Sequence, residues 1–264
     1  MKKSTPTKTP TTTTTKTTLK EGEVLNHLLG FEGMVIIQRR DMFSFSLDSV
    51  LLAAFTNVPK RVSRILDFGT GFAPVPLMLS RKTKKPITGI EIQPEVADIA
   101  RRSVFANGLE HQIDILEADI ASLTNTYPHE SVELITCNPP FFRYTTESNT
   151  NDNAFQTIAR HEVKITFETM VDTAATLLKD KGLFVFVHRP ERLTSIVAAL
   201  NAKRMTIKRM RVVHARIDRP AQMVLIEAVK GGRDGLTLEP PFFVHKDDGS
   251  YTDAVEKLFR DERT

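Results

Sequence analysis

Residues 66–80, LDFGTGFAPVPLMLS, form the stretch that decides the fold. The apolar run that ends at Phe68 predicts a strand, and Gly69 and Gly71 predict a tight turn. The prolines and leucines that follow predict the start of a helix. A glycine-rich turn of this kind lets the backbone approach a ligand closely, but alone it also fits a dinucleotide site. Here Asp67 precedes the first glycine, where a dinucleotide site more often has an apolar residue. An acid at this position favours a ligand that carries a cationic amine.

Two further acids follow the next two predicted strands. Residues 86–93 (PITGIEIQ) predict a strand with Glu91 at its end, about twenty residues after the glycine turn, where a carboxylate reaches ribose hydroxyls. Residues 111–120 (HQIDILEADI) predict a third strand followed by Asp119, which can accept a hydrogen bond from an adenine amino group. With Asp67, these acids predict a nucleoside-cofactor site at the carboxyl edge of a parallel sheet, and S-adenosylmethionine has the matching amine, ribose and adenine.

A fourth strand and an unusual loop are predicted in residues 131–142, SVELITCNPPFF. Proline cannot donate to a strand ladder and has a fixed φ, so the two prolines end the strand and stiffen the loop. Asn138 offers an amide oxygen, Pro139 offers a carbonyl, and Phe141 or Phe142 offers an apolar ring. We expect Phe141 to be the ring that faces the ligand. Two acceptors and a ring suit a planar heterocycle with an amino group, although a strand can also simply end at prolines.

These motifs, together with residues 26–55 (NHLLGFEGMVIIQRRDMFSFSLDSVLLAAF), ARHE at 159–162 and FVHRPERL at 186–193, carry a resemblance to a known family. The chain resembles class I S-adenosylmethionine-dependent methyltransferases with the NPPF signature of amine methylation. More narrowly, it resembles the bacterial family that methylates N6 of the adenosine next to the anticodon of a valine tRNA. The resemblance extends from residue 25 to about residue 230.

The resemblance implies a fold, a cofactor and roles for individual residues. The fold would be a doubly wound, mostly parallel seven-stranded α/β sheet that closes with an antiparallel hairpin, and the substrate would be RNA, namely tRNA. The segment at 43–55 closes over the cofactor in this family. Ala73 departs from the pattern, since it replaces the usual third glycine; we expect the exchange to be harmless if the backbone there has a negative φ. The residues implied to bind S-adenosylmethionine are Asp67, Gly69, Gly71, Glu91, Asp119, Asp48 and Phe45, and those implied in catalysis are Asn138, Pro139 and Phe141.

Three alternatives remain open. The same chemistry could act on another amine, either guanine N2 in ribosomal RNA or the glutamine amide of a protein. The chain could be a non-catalytic RNA-binding protein with a relic cofactor pocket, although intact acids and Asn138 oppose this. A nicotinamide oxidoreductase is disfavoured by the acid before the glycine turn and by the predicted closing hairpin.

Composition excludes several other classes. The single cysteine, Cys137, excludes a disulfide framework and a cysteine-cluster metal site, and it fits a cytoplasmic protein. We expect no bound metal, and no apolar run is long enough to cross a membrane. Residues 1–20 are a Thr/Lys-rich tract predicted to be disordered, and residues 21–264 are predicted to form one methyltransferase domain with an N-terminal helical extension. The tract holds five lysines of a chain with formal charge +4, so the remainder carries about −1.

Eight basic residues lie between Arg192 and Arg219, against Asp218 as the one acid. They predict either a guarded edge strand or a surface that binds phosphates, and an RNA substrate favours the second interpretation.

Helices are predicted in three other segments of the chain: a capped helix beginning at Asp48, a helix at 94–109 and a long helical stretch at 154–182. The last two strands, near 209–215 and 221–230, have too short a connection for a helical crossover and should pair antiparallel.

Overall fold

The computed structural model describes residues 17–29, 31, 33–39, 41–42, 46–139 and 165–260. Within these ranges the helices are α1 (Leu47–Phe55), α2 (Pro74–Leu79), α3 (Pro94–Ala106), α4 (Phe167–Leu177), α5 (Leu193–Ala202) and α6 (Asp253–Phe259). The strands are β1 (Glu23–His27), β2 (Val35–Arg39), β3 (Ile65–Phe68), β4 (Ile87–Glu91), β5 (Ile113–Glu117), β6 (Val132–Cys137), β7 (Leu178–His188), β8 (Met205–His214), β9 (Ala221–Lys230), β10 (Thr237–Leu238) and β11 (Phe242–Phe243). Short 3-10 helices occupy Ile120–Asn125 and Pro190–Arg192.

The main sheet has the strand order β5-β4-β3-β6-β7-β9-β8, with β10 and β11 beside β8. The strands from β5 to β7 pair in parallel, whereas β9 pairs antiparallel with both β7 and β8. Strand order reverses between β3 and β6, which is where an open α/β sheet forms its ligand crevice. The prediction of a doubly wound, mostly parallel sheet that closes with an antiparallel hairpin is confirmed, and two short strands extend it beyond seven.

The sheet is buried on both faces because helices cover both. All residues of β3 and β6 are buried, as expected for central parallel strands. One apolar core lies between the sheet and α1, α2 and α3, and a second core contains residues of α4 and α5. The glycine turn and the loop after β6 therefore start from strands that are fixed on both sides.

The first two strands form a separate antiparallel hairpin that the sequence analysis did not predict. The backbone of its second strand, β2, forms hydrogen bonds with side chains at the C-terminal end of α3. Asn107 accepts from the Val35 N–H at 3.0 Å and donates to the Val35 carbonyl at 2.7 Å, and Ser103 accepts from the Ile37 N–H at 3.0 Å. In chain order this hairpin comes first, then α1, and then β3, the first strand of the main sheet.

Two predicted helix boundaries were wrong. Ser46, not Asp48, is at the N-cap of α1, and Asp48 lies inside the first turn. The helix predicted at 154–182 covers only 167–177 of the described residues, because the chain enters β7 directly at Leu178; residues 154–164 lie outside the described residues.

The basic stretch is largely neutralised by acids from other parts of the fold. Arg209 forms ion pairs with Glu227 at 2.7 Å and Glu239 at 2.9 Å, and its guanidinium lies 3.8 Å from the centre of the Phe55 ring. Lys208 donates to main-chain carbonyls. Other ion pairs in the stretch are Arg192–Glu168, Lys203–Asp172, Arg211–Glu239, Arg216–Asp218 and Arg219–Asp218. Arg209 is mostly buried in its ion pairs, whereas the side chains of Arg192, Lys203 and Arg219 are 43–60% exposed, and exposed pairs contribute little to stability. Phosphate binding by this stretch stays a prediction.

None of the helices in the described ranges has the length and apolar character that crossing a bilayer requires.

Candidate active site

The candidate site lies where β3, β4, β5 and β6 end at one edge of the sheet. The parallel register pairs Phe68 with Ile90 on one side and with Cys137 on the other. Glu91 is likewise paired with Glu117. The residues that follow these strand ends are consequently brought together, as the sequence analysis expected for parallel strands.

Asp67 is buried beneath this edge and does not face it. Its carboxylate accepts from the Thr70 hydroxyl at 2.7 Å and from the Thr136 hydroxyl at 2.6 Å. Burial raises the pKa of Asp67 to about 7, against the opposing effect of the two hydroxyl groups. Asp67 thus ties the glycine turn after β3 to the end of β6, and its direct partners in the structure are threonines.

Gly89 is the residue that makes room for this arrangement. A Cβ atom on Gly89 would lie 2.7 Å from the Thr70 Oγ1 atom and 2.8 Å from its Cγ2 atom. Thr70 therefore sits directly against β4, and only glycine at position 89 permits its hydrogen bond to Asp67 without a shift.

The glycine turn has the backbone of a ligand cradle. Gly69 and Gly71 have φ values of +64° and +57°, and a Cβ on either would meet no atom of the described residues within 4 Å. Ala73, at the third glycine position, has a φ of +68° and is fully buried. The condition under which the exchange would be harmless, a negative φ at Ala73, is therefore not met, and the residue carries the strain of a left-handed conformation, about 1–2 kcal/mol.

Glu91 borders the same turn and is held on both sides. Its Oε2 atom accepts from the Gly71 N–H and its Oε1 atom accepts from the Gln93 N–H, each at 3.0 Å. Burial raises the pKa of Glu91, although these backbone donors oppose the effect. The Gln93 side-chain amide also donates to Oε1, at 3.4 Å. Since a carboxylate has about four lone-pair sites, about one of them remains available for a hydroxyl group of a ligand.

The acids at the border of the site differ in exposure. Asp119 is exposed, and its carboxylate accepts from the Ala121 N–H at 2.9 Å at the start of a 3-10 helix. Asp48, on α1, is half-buried. Burial raises the pKa of Asp48, and the nearby charge of Arg189 lowers it. A carboxylate on α1 therefore interacts with a cation at the end of β7.

Asn138 and Pro139 follow β6 directly, next to the glycine turn. Asn138 is half-buried, Pro139 is buried, and the Asn138 Nδ2 atom donates to the Ser49 Oγ atom at 3.0 Å. Ser49 could not be predicted as a partner of Asn138, because no local pattern in the sequence connects residues 89 positions apart.

Several predicted features cannot be placed. Phe141 and Phe45, together with Phe142 and the ARHE stretch, lie outside the described residues. His188, which the sequence left without a role, packs edge-on against Phe167 at the end of β7. Among the described residues, no three His, Cys, Asp or Glu side chains are grouped as metal ligands.

The strand order and the polar residues at this edge define a class I methyltransferase, which acts with a methyl donor of the S-adenosylmethionine type. Comparisons with known proteins agree. The family model "Methyltransferase small domain" matches residues 34–208. A tRNA1(Val) (adenine(37)-N6)-methyltransferase of Erwinia tasmaniensis is 30% identical, and the match covers 88% of this chain and 92% of the relative. A protein of the same name from Shewanella amazonensis is 31% identical over 82% of this chain and 90% of the relative.

Among solved structures, a predicted O-methyltransferase of Agrobacterium tumefaciens matches with a TM-score of 0.64 and 26% identity, over 81% of this chain and 96% of that one. The chain belongs to the methyltransferase small domain family and, by its similarity to the two relatives, to the tRNA1(Val) (adenine(37)-N6)-methyltransferases.

Proposed function

We propose that the protein transfers a methyl group from S-adenosylmethionine to N6 of the adenosine next to the anticodon of a valine tRNA, in the cytoplasm. The family supports the choice of substrate. The observation that carries the chemistry is the position of Asn138: it ends β6 beside the glycine turn, and its amide nitrogen is bonded to Ser49. Its amide oxygen is thereby directed away from Ser49, available to an incoming amine.

The residues around the glycine turn fit the cofactor. The open space above Gly69 and Gly71 admits a ligand close to the backbone. We assign Glu91 to the ribose hydroxyls, because its carboxylate is already fixed by two backbone donors. Asp119 would accept from the adenine amino group. Asp67 would act indirectly, by holding Thr70 and the turn in place.

Asp48, on α1, and Phe45, before it, are proposed to close the cofactor site from the other side. Asp48 is half-buried at this edge, and the family resemblance implies that its segment covers the cofactor. When bound, S-adenosylmethionine supplies an electrophilic methyl group on a sulfonium. The chain must hold the acceptor amine in line with it.

Asn138 and Pro139 perform that task in the proposed mechanism. An adenine amine is a poor nucleophile because its lone pair is delocalised into the ring. Hydrogen bonds from the amine to the Asn138 amide oxygen and the Pro139 carbonyl favour a pyramidal nitrogen, and they stabilise the positive charge that develops on it. Orientation of the amine supplies much of the remaining acceleration. No side-chain base is needed, because the product cation is acidic enough to lose its proton to water.

The target base must leave its stack to reach this site. We propose Phe141 as the ring on which it stacks, a contact worth about 1–3 kcal/mol for an aromatic side chain and a base.

The direct test is to incubate the protein with labelled S-adenosylmethionine and total tRNA, to digest the RNA and to identify the methylated nucleoside. We expect N6-methyladenosine in valine tRNA. Label in methylated guanine, or in protein alone, would refute the proposal in favour of the alternative acceptors.

The role of Asn138 is tested by Asn138→Ala. We expect kcat to fall by about a hundredfold or more, as for loss of a preorganised transition-state contact, while the cofactor Kd stays nearly unchanged. Isothermal titration with the cofactor, alongside the kinetic assay, separates the two effects. A cofactor affinity that falls as far as the activity would contradict the assigned role.

A further inference from the structure

We propose that Ser49 is a positioning residue for methyl transfer, which it serves by fixing the position of the Asn138 side-chain amide. This inference rests on the proposed function, since it concerns the same amine acceptor. It gives α1 a second role beside the proposed contact of Asp48 with the cofactor.

The contact joins two rigid elements. Ser49 is 4% exposed and its hydroxyl oxygen lies 3.0 Å from the Asn138 Nδ2 atom. Its neighbours on α1, Val50, Leu51 and Leu52, are buried in the core between the helices and the sheet. The hydroxyl therefore occupies a fixed position relative to the end of β6.

The orientation of the amide decides whether Asn138 can function. A carboxamide has a donor end and an acceptor end that exchange on rotation about its last side-chain torsion. An exocyclic amine presents hydrogen atoms to its acceptors. With Nδ2 on Ser49, the amide offers oxygen to the amine; with the amide turned over, it would offer two N–H groups to another donor. A serine hydroxyl can donate as well as accept, so the Ser49 contact fixes where the amide lies, and the bound amine selects the arrangement in which Oδ1 faces the amine and Nδ2 donates to Ser49.

The buried position of Ser49 makes this contact more than a surface hydrogen bond. The hydroxyl accepts from Nδ2 on the side of the amide that faces α1. Without it, the half-buried Asn138 amide loses its partner on α1 and can turn or shift, which moves the oxygen off the amine.

The test is Ser49→Ala, compared with Ser80→Ala. Ser80 is also a buried serine, 2% exposed, and its hydroxyl donates to the Leu77 carbonyl at the far end of α2. We expect Ser49→Ala to lower kcat by about tenfold, the equivalent of one hydrogen bond, with unchanged KM for RNA and unchanged cofactor Kd. Ser80→Ala should leave kcat at the wild-type value.

Two additional measurements distinguish positioning from a structural effect. In single-turnover assays, Ser49→Ala should have no further effect on the residual rate of Asn138→Ala, because it acts through the missing amide. In NMR spectra of ¹⁵N-labelled protein, the Asn138 side-chain amide signals, assigned by their loss in Asn138→Ala, should shift and exchange faster in Ser49→Ala.

The outcomes separate this inference from the proposed function. If wild-type protein methylates the tRNA and Ser49→Ala is as active as wild type, the inference alone is overturned. It is also overturned if Ser49→Ala slows Asn138→Ala by the full factor. If the protein methylates a different amine, the same comparisons are made with that amine, and only the choice of adenosine in valine tRNA is refuted. Wild-type protein that methylates no amine overturns both.

Discussion

The buried Asp67 carboxyl should make the stability of this protein depend on pH in the neutral range. Asp67 is 2% exposed and is surrounded by two threonine hydroxyls instead of a cation. Asp67→Asn keeps the size of the side chain and removes the ionisation. The comparison of the two proteins therefore isolates the cost of a buried negative charge.

The magnitude follows from the pKa difference between the folded and unfolded states. Burial raises the pKa of Asp67 from an ordinary 3.8 to about 7. Between these values the folded state binds more protons than the unfolded state, so the stability from Asp67 is fully present below pH 3.8 and is lost as pH rises to about 7. At about 1.4 kcal/mol for each pH unit, the loss amounts to about 4 kcal/mol.

Urea unfolding at a series of pH values from 4 to 8 measures this effect. We expect the free energy of unfolding of Asp67→Asn, relative to wild type, to rise by about 4 kcal/mol across the series and to level off above pH 7. A relative stability that stays flat from pH 4 to 8 would refute the reasoning and would mean that the carboxyl ionises normally in the folded protein.

Glu133 provides a control of opposite sign. Burial alone would raise the pKa of Glu133, but hydrogen bonds from Lys179, Ser63 and the Ser63 and Arg64 backbone outweigh it and lower the pKa to about 2. The stability that Glu133 contributes is therefore present above pH 4.5 and is lost as pH falls toward 2. For Glu133→Gln we expect the difference from wild type to change mainly below about pH 4.5 and to stay flat from pH 5 to 8, where most of the Asp67 effect falls.

Two other substitutions test the remaining structural assignments. Glu91→Gln should raise the Kd for S-adenosylmethionine by about 10- to 100-fold, because hydrogen bonds to a charged group are worth about 1.5–3 kcal/mol. Isothermal titration measures the Kd, and an unchanged value would show that Glu91 does not bind the cofactor. Arg209→Met should lower the free energy of unfolding by about 3 kcal/mol, since it leaves Glu227 and Glu239 without their shared partner. Chemical denaturation measures that loss, and a loss well under 1 kcal/mol would show that the pair is effectively solvated.

Local patterns in the sequence were sufficient to predict the sheet and the polar residues at its edge. The glycine turn, the acids at or just after the ends of β3, β4 and β5, and the loop after β6 each have a strong local signature. Because parallel strands end at one edge, predicting the strands also predicted that Glu91, Asp119 and Asn138 lie together. The assignment of these residues to particular atoms of the cofactor and the base stays a prediction.

Features that depend on distant partners could not be predicted. The Ser49 contact and the ion pairs of Arg209 join residues far apart in sequence, and no local rule selects them. The β1–β2 hairpin was missed because its strands obtain partners from α3 as well as from each other. Asp67 was assigned to the ligand because it precedes the glycines, but Thr70 and Thr136 enclose it.

The docking of that hairpin on α3 also constrains the order in which the chain can assemble. The Val35 N–H donates a hydrogen bond to Asn107, and the Ile37 N–H donates one to Ser103. Each backbone group gains its partner only after more than sixty further residues have been synthesised. Strand β3 likewise pairs with β6 across a similar interval. The hairpin is therefore completed by later segments of the chain, so folding of this protein should be governed by slow, non-local pairing, and residues 23–27 and 35–39 should be protected from proteases only after α3 has formed.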